Sequence, residues 1–199
     1  KRERAPCGLT CPAGINVQGH VALIAKGKYR EALSLIEEKL PLPGVLGRIC
    51  PAPCEEACNR RLLEEPISIR ALKRFVADSV SEELPLPEIE EREQKVAIIG
   101  SGPAGLTCAF HLRHEGYKVT IFEALPVVGG MLYVGIPGYR LPKDVIRKEV
   151  KGIERLGLEI RTNSPIGKET TIDNLFQQGY KALFIGVGAH RSQRRRSVC

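Results

Sequence analysis

At 199 residues with a net charge of +7, the chain has room for one or two domains, each able to bury a core. The excess charge sits at the ends, on Lys1, Arg2 and Arg4 and on Arg191, Arg194, Arg195 and Arg196, so the body between is nearly neutral. That body has no Trp and few aromatics, which argues against nucleic-acid binding, and no run of about eighteen apolar residues marks a membrane span.

In chain order, a cysteine-rich segment opens with Cys7 and Cys11, followed by Asn16 as a helix cap. A helix is expected from there to about Lys26, with Val17, Val21 and Ile24 on one face, and Gly27 ends it. Tyr29–Leu40 carries Ala32, Leu35, Ile36 and Leu40 at helical spacing and stops at Pro41 and Pro43. Cys50-Pro-Ala-Pro-Cys54-Glu-Glu-Ala-Cys58 starts too proline-rich for a regular element. A third helix is expected from Ser68 to about Glu83, with Ile69, Leu72, Phe75, Val76 and Val80 as its apolar stripe. Residues 1–83 therefore read as a helical domain, and 84–94, with two prolines and an acidic cluster, as a linker.

From Lys95 the period changes. Val96, Ile98 and Ile99 lead into Gly100, Gly102 and Gly105 in G-x-G-x-x-G spacing, and a helix is expected from Pro103 to about Glu115. After Gly116, Lys118–Glu123 is a second strand. Gly100 makes the tight turn, Gly102 admits a diphosphate to the backbone, and Gly105 lets helix pack on strand. The helix start, Pro103-Ala104, presents free N–H groups to that diphosphate. Glu123, twenty-three residues after Gly100, stands where a carboxylate bonds adenosine ribose hydroxyls. A carboxylate there disfavours a 2′-phosphate, which leaves FAD and NAD. A glycine-rich loop through Gly129–Pro137 follows, then an amphipathic helix over Pro142–Leu156 and a short strand at Leu158–Arg161. Lys181–Gly188 is an apolar strand expected at the centre of the sheet. The pattern ends in an irregular basic tail, 189–199.

Five of the seven cysteines fall in the first 58 residues. An odd count without a secretory signal favours metal or redox use over a disulfide framework, and a cytoplasmic setting. Cys7, Cys11, Cys50, Cys54 and Cys58 form C-x3-C-P and C-P-x-x-C-x3-C runs. The C-x3-C-P run is one that iron–sulfur proteins use. Zinc is the competitor, but five thiols exceed one tetrahedral site. Cys108 reads as helix packing, and Cys199 carries no role.

The motifs CPAGINV, GKYREALSLI, GRICPAPCEEAC, PISIRALKRFVAD, KVAIIGSGPAGL and GGMLYVGIPGYRLP occur in this order. With them the chain, over about residues 6–190, resembles the glutamate synthase small-subunit family, which includes the N-terminal region of dihydropyrimidine dehydrogenase. The resemblance implies an all-helical iron–sulfur domain followed by a Rossmann-like FAD-binding domain, into which relatives insert an NAD(P)H domain. It implies FAD rather than NAD at Gly100, Gly102, Pro103, Ala104, Gly105 and Glu123. Gly130, Met131, Leu132, Gly135, Ile136 and Pro137 would line the isoalloxazine, and Lys181–Gly188 would return beneath the FAD. In two-cluster relatives, the cysteines matching Cys11, Cys50 and Cys54 share one cluster with a non-cysteine ligand. Those matching Cys7 and Cys58 serve another, with two upstream cysteines that this chain lacks. One [4Fe–4S] cluster drawing on four of the five is therefore expected here.

No second glycine fingerprint is present in these residues, so the expectation is that they end where the inserted domain should begin and hold only part of the FAD domain. The expectation is an FAD and iron–sulfur electron-transfer module of an NAD(P)H-dependent oxidoreductase, with other oxidoreductase subunits or an NAD(P)H-binding segment as partners. No acid–base residue is called for. The alternative is a non-catalytic assembly or scaffold subunit whose nucleotide fold stays empty.

Overall fold

The computed structural model describes residues 5–80, 84–167 and 169–189. In chain order the elements are α1 (Pro6–Leu9), α2 (Val17–Ala25), α3 (Tyr29–Glu37), α4 (Pro43–Ile49), α5 (Pro53–Glu56), a 3-10 turn at Asn59–Leu62 and α6 (Ile69–Ser79). Then come β1 (Lys95–Ile99), α7 (Pro103–His114), β2 (Lys118–Phe122), α8 (Met131–Val134), α9 (Lys143–Glu154), β3 (Glu159–Arg161), α10 (Ile172–Gln177) and β4 (Tyr180–Ile185). The described residues fall into two compact units, one drawing on those within 5–88 and 136–156, the other on those within 89–135 and 157–189.

The first unit is helical. Asn16 caps α2 by accepting from the Gly19 N–H at 2.9 Å. Its core joins Ile15, Val17, Ile36, Leu40 and Ile69 to Cys54, with Cys7 and Cys11 packed against it. The sequence reading missed α4 because Pro41 and Pro43 look like a stop. Pro43 instead occupies the first helical turn, where its lack of an N–H costs nothing. Tertiary packing then sustains this glycine-rich helix: a β-carbon on Gly47 would stand 2.8 Å from the Arg74 Cα of α6. The same unit contains α9, which sequence order had placed in the nucleotide domain. Glu149 of α9 accepts from the N–H groups of Gly44 and Val45, the latter at 3.0 Å, so its carboxylate caps α4.

The second unit is a four-stranded sheet in the order β3-β2-β1-β4, every pair parallel. β1 and β2 are buried along all but their first residues, as parallel strands covered on both faces must be. β4 is a correction to the expectation of a central strand. It lies at one edge, its apolar run is half-exposed, and Ile185 keeps 59 % of its surface. A parallel strand becomes central only with a neighbour on each side, and among the described residues β4 has one. The unforeseen α10 starts with a reciprocal cap between Thr171 and Asn174 and buries Leu175 against Ala97, Ile99, Phe122 and Tyr180.

The stretch read as a linker, 84–94, is partly built into the sheet unit. The Arg92 N–H donates to the Gly116 carbonyl at 2.9 Å, and Glu91 takes the buried Arg113 guanidinium at 2.6 Å. The third helix stops at Ser79, short of the expected Glu83, because Val80 is already extended; residues 81–83 and the basic tail beyond Ala189 lie outside the described residues.

Candidate functional site

The glycine turn joins β1 to α7, and its three glycines meet different surroundings. Gly100 has φ +102°, and a β-carbon there would sit 2.5 Å from the Gly186 carbonyl oxygen. A β-carbon on Gly105 would collide with the Gly100 carbonyl, so Gly105 is where the helix closes on the turn. Gly102 differs from both. Its backbone is extended, and a β-carbon there would meet nothing within 4 Å. Space is held open at the start of α7, where the free N–H groups of a helix favour an anion.

Beside that space stands a buried polar hub that the sequence reading missed. Ser101, the residue between the first two glycines, is fully buried. Its N–H and hydroxyl donate to Glu123 Oε2 at 2.9 and 2.5 Å, and its hydroxyl accepts from the Gly129 N–H at 3.1 Å. Glu123 Oε1 accepts from the Leu125 N–H at 2.8 Å. Burial pushes the Glu123 carboxyl upward. The Ser101 hydroxyl and the Leu125, Ser101 and Ala124 amides outweigh it and hold the group below its ordinary value. The residue is thus an ionised strut between β2 and the glycine turn. A serine inside G-x-G, with an acid ending the next strand, was the available signal.

The loop after Glu123 folds back over the turn. A β-carbon on Gly130 would stand 2.9 Å from Gly102 Cα, which brings those two predicted residues together. Met131 and Val134 are exposed while Leu132 is buried, so α8 offers an apolar surface to solvent. Gly130, Met131, Leu132 and Gly135 belong to the sheet unit, and Ile136 and Pro137 to the helical one.

In the helical unit the thiols come from three turns. Cys11 follows α1, Cys50 ends α4, and Cys54 lies in α5. Between the last two, Ala52 takes φ +59°, a left-handed conformation rare for a residue with a β-carbon, and its N–H donates to Cys50 Sγ at 3.3 Å. Arg70 secures this turn by donating to the Cys50 carbonyl at 2.9 Å, while its own N–H bonds Glu55 at 2.7 Å. Burial, with Cys11, Glu55 and Cys50 nearby, pushes the Cys54 thiol up to about 11, and Lys73 opposes them. Cys11 and Cys50 therefore each lie within electrostatic reach of Cys54. Cys7 packs against the same core, and Cys58 is buried at the end of the run. Among the described residues these groups are gathered without forming a closed cage of three or more metal ligands. The soft, proline-bounded thiol set nevertheless suits an iron–sulfur cluster better than a hard-cation site.

Residues 2–84 match the family model for dihydropyrimidine dehydrogenase domain II, 4Fe-4S cluster. The helical N-terminal part of the chain is thus similar to that iron–sulfur domain. Residues 98–143 match an NAD(P)-binding Rossmann-like domain, so the two halves expected from the motifs both stand. The NADP(+)-dependent formate dehydrogenase subunit beta of Moorella thermoacetica is 45 % identical over 96 % of this chain and 30 % of its own length. The NADPH-Fe(3+) oxidoreductase subunit beta of Geobacter sulfurreducens is 40 % identical over 95 % of this chain and 29 % of its own. The glutamate synthase [NADPH] small chain of Escherichia coli is 33 % identical over 94 % of this chain and 41 % of its own, and the resemblance to that group holds. The chain thus spans less than half the length of these relatives. Among its described residues no helix is long and apolar enough to cross a membrane.

Proposed function

We propose that this chain is the FAD and [4Fe–4S] portion of an NAD(P)H-dependent oxidoreductase subunit, moving electrons between a flavin, a cluster and partner subunits. The supporting observation is the pairing, in one chain, of an iron–sulfur domain with a Rossmann-like unit whose turn is kept open at Gly102. Gly102, Pro103 and Ala104 would face the diphosphate, with Gly100 and Gly105 shaping the turn. Glu123 would serve the ribose side, and the exposed face of α8 the ring side. Cys11, Cys50 and Cys54 would hold the cluster, with Cys7 or Cys58 supplying the fourth thiol. When bound, FAD supplies hydride chemistry, and a 4Fe–4S cluster carries single electrons. The protein contributes binding, spacing and electrostatics, and no side-chain acid or base is required.

The full 199-residue chain, purified and reconstituted anaerobically, tests this. Flavin bands with a broad cluster shoulder, and about four irons with matching acid-labile sulfide per chain, are expected. Stoichiometric zinc without sulfide would overturn the cluster. Absence of flavin after incubation with FAD would favour the scaffold reading.

A further inference from the structure

The helix that delivers Cys50 carries no cap of its own. The capping position of α4 is Leu42, whose side chain has no acceptor to offer. A helix start leaves its first N–H groups without intrahelical partners, and buried ones must find an acceptor elsewhere. At α4 each of them can be traced. Pro43 has no N–H, and Leu46 donates to the Leu42 carbonyl at 3.0 Å. Between them lie the buried Gly44 and Val45, and both of their N–H groups go to Glu149 of α9, more than a hundred residues along. Oε1 takes the first and Oε2 the second, the latter at 3.0 Å. Gly44 leaves room for this carboxylate: a β-carbon there would stand 2.8 Å from Glu149 Oε1 and 3.3 Å from the Val145 side chain. The other end of α4 is held from α6. Arg48 joins the Gly44 carbonyl at 3.0 Å to Asp78 at 2.9 Å, and Arg70 donates to the Cys50 carbonyl at 2.9 Å. The Cys50 N–H closes the ladder on the Leu46 carbonyl at 3.1 Å, so α4 runs from the two capped amides directly into Cys50.

We infer that Glu149 is a positioning residue for Cys50: by fixing the start of α4 from α9, it sets where the Cys50 thiol is presented to the metal site. This rests on the reading of Cys50 as a ligand given above. A ligand must be held within about half an ångström of its productive place, which requires a supporting shell around it. Glu149 supplies part of that shell through the backbone of α4 and touches no thiol itself. The thiol site therefore draws on α9, a helix that follows the glycine turn in sequence, as well as on the cysteine-bearing segment.

The test uses the full chain, reconstituted anaerobically, as parent and as Glu149→Ala, Glu149→Gln, Gly44→Ala and Ile153→Val. Iron and sulfide are counted, and the rate of iron loss to a chelator is followed. Amide hydrogen exchange of the metal-free chains is read by mass spectrometry. Glu149→Ala should lose iron about tenfold faster than the parent, the size expected of a lost helix cap. Exchange should rise in the peptide holding α4 and stay unchanged in α2 and α3. Glu149→Gln, with one acceptor oxygen left, should fall between the two. Gly44→Ala separates positioning from simple helix stability. Alanine favours a helix over glycine, so helix stability alone predicts slower iron loss. A displaced Glu149 carboxylate predicts faster loss, and the double variant should then be no worse than either single one. Ile153→Val, a buried change on the same α9, should melt below the parent yet keep its rate of iron loss. Iron loss at the parent rate in Glu149→Ala would overturn the inference, as would an equal acceleration in Ile153→Val. Should Glu149→Ala not fold, a parent rate in Gly44→Ala would overturn it instead. A parent that takes up zinc without sulfide would remove the cluster reading, and the rates of zinc loss in the same variants would then decide the role of Glu149.

Discussion

Replacing Gly102 with alanine should separate ligand binding from folding, with Gly105→Ala as the opposing control. At Gly102 the backbone has φ −66° and ψ 178°, which any residue adopts, and the new β-carbon meets no protein atom within 4 Å. The folded chain pays nothing, while the unfolded chain loses freedom worth about 0.4–1 kcal/mol. In a chain of this size that raises the melting temperature of the cofactor-free protein by about 1–4 °C. The methyl group projects into the space the diphosphate would need. Losing one charge-assisted hydrogen bond, about 1.5–3 kcal/mol, weakens FAD roughly ten- to a hundredfold. At Gly105 the β-carbon collides with the Gly100 carbonyl, so overpacking should destabilise the chain by about 1–3 kcal/mol or more even without ligand. Melting curves and FAD titration of both variants decide the matter. A Gly102→Ala chain that binds FAD like the parent, or melts well below it, would refute the reasoning.

Ser101→Ala should cost about 1–2 kcal/mol in thermal unfolding, because Glu123 loses its hydroxyl donor and the Gly129 N–H loses one of its acceptors. Cys54→Ala should prevent cluster assembly while Cys108→Ala leaves it intact, read as iron and sulfide per chain. Burial raises the Glu149 and Glu37 carboxyls to about 7 from 4.5, opposed at Glu149 by the Val45 and Gly44 amides and at Glu37 by Lys148. The folded chain then holds more protons than the unfolded one between those values, so stability should fall as pH rises from about 4.5 to 7. Glu149→Gln should flatten that slope in urea unfolding; an unchanged slope would exclude this pair as its source.

What the sequence made legible was set locally. The two central strands, the glycine turn and the Asn16 cap each follow from a few adjacent residues, and their positions agree with the structure within a residue or two. What it hid depends on partners far along the chain. α4 contains two glycines and follows two prolines, yet it forms because α6 closes on Gly47 and because Glu149, a hundred residues later, caps its first turn. α9 shows the ordinary amphipathic pattern, and nothing in that pattern says which core its Ile146, Val150 and Ile153 enter. β4 looked central because its composition is apolar, but composition reports that a surface wants cover rather than what covers it. The cysteines were visible as a set. The family resemblance already grouped Cys11 with Cys50 and Cys54, and what the sequence did not show is how the fold gathers them, with Cys11 just after α1 and the other two on the α4–α5 turn.

Glu123 shows how a motif residue can have a second task that its motif does not state. A carboxylate has about four acceptor positions. Ser101 occupies two with its N–H and hydroxyl, and Leu125 a third, while the Ala124 amide also contributes. A ribose hydroxyl arriving at Glu123 would therefore share or displace an existing donor rather than find a free oxygen. The donor easiest to release is the Ser101 hydroxyl, which can rotate, whereas the amides are fixed by the backbone. That same hydroxyl accepts from Gly129, at the start of the loop packed on Gly102. In the proposed site, adenosine-side contacts and the loop over the diphosphate space would thus be joined through one serine side chain. Substitutions at Glu123 should accordingly perturb the glycine turn itself, so under the proposed reading a loss of nucleotide binding in Glu123→Ala would report the strut and the ribose contact together, while Gly102→Ala would report the diphosphate space alone.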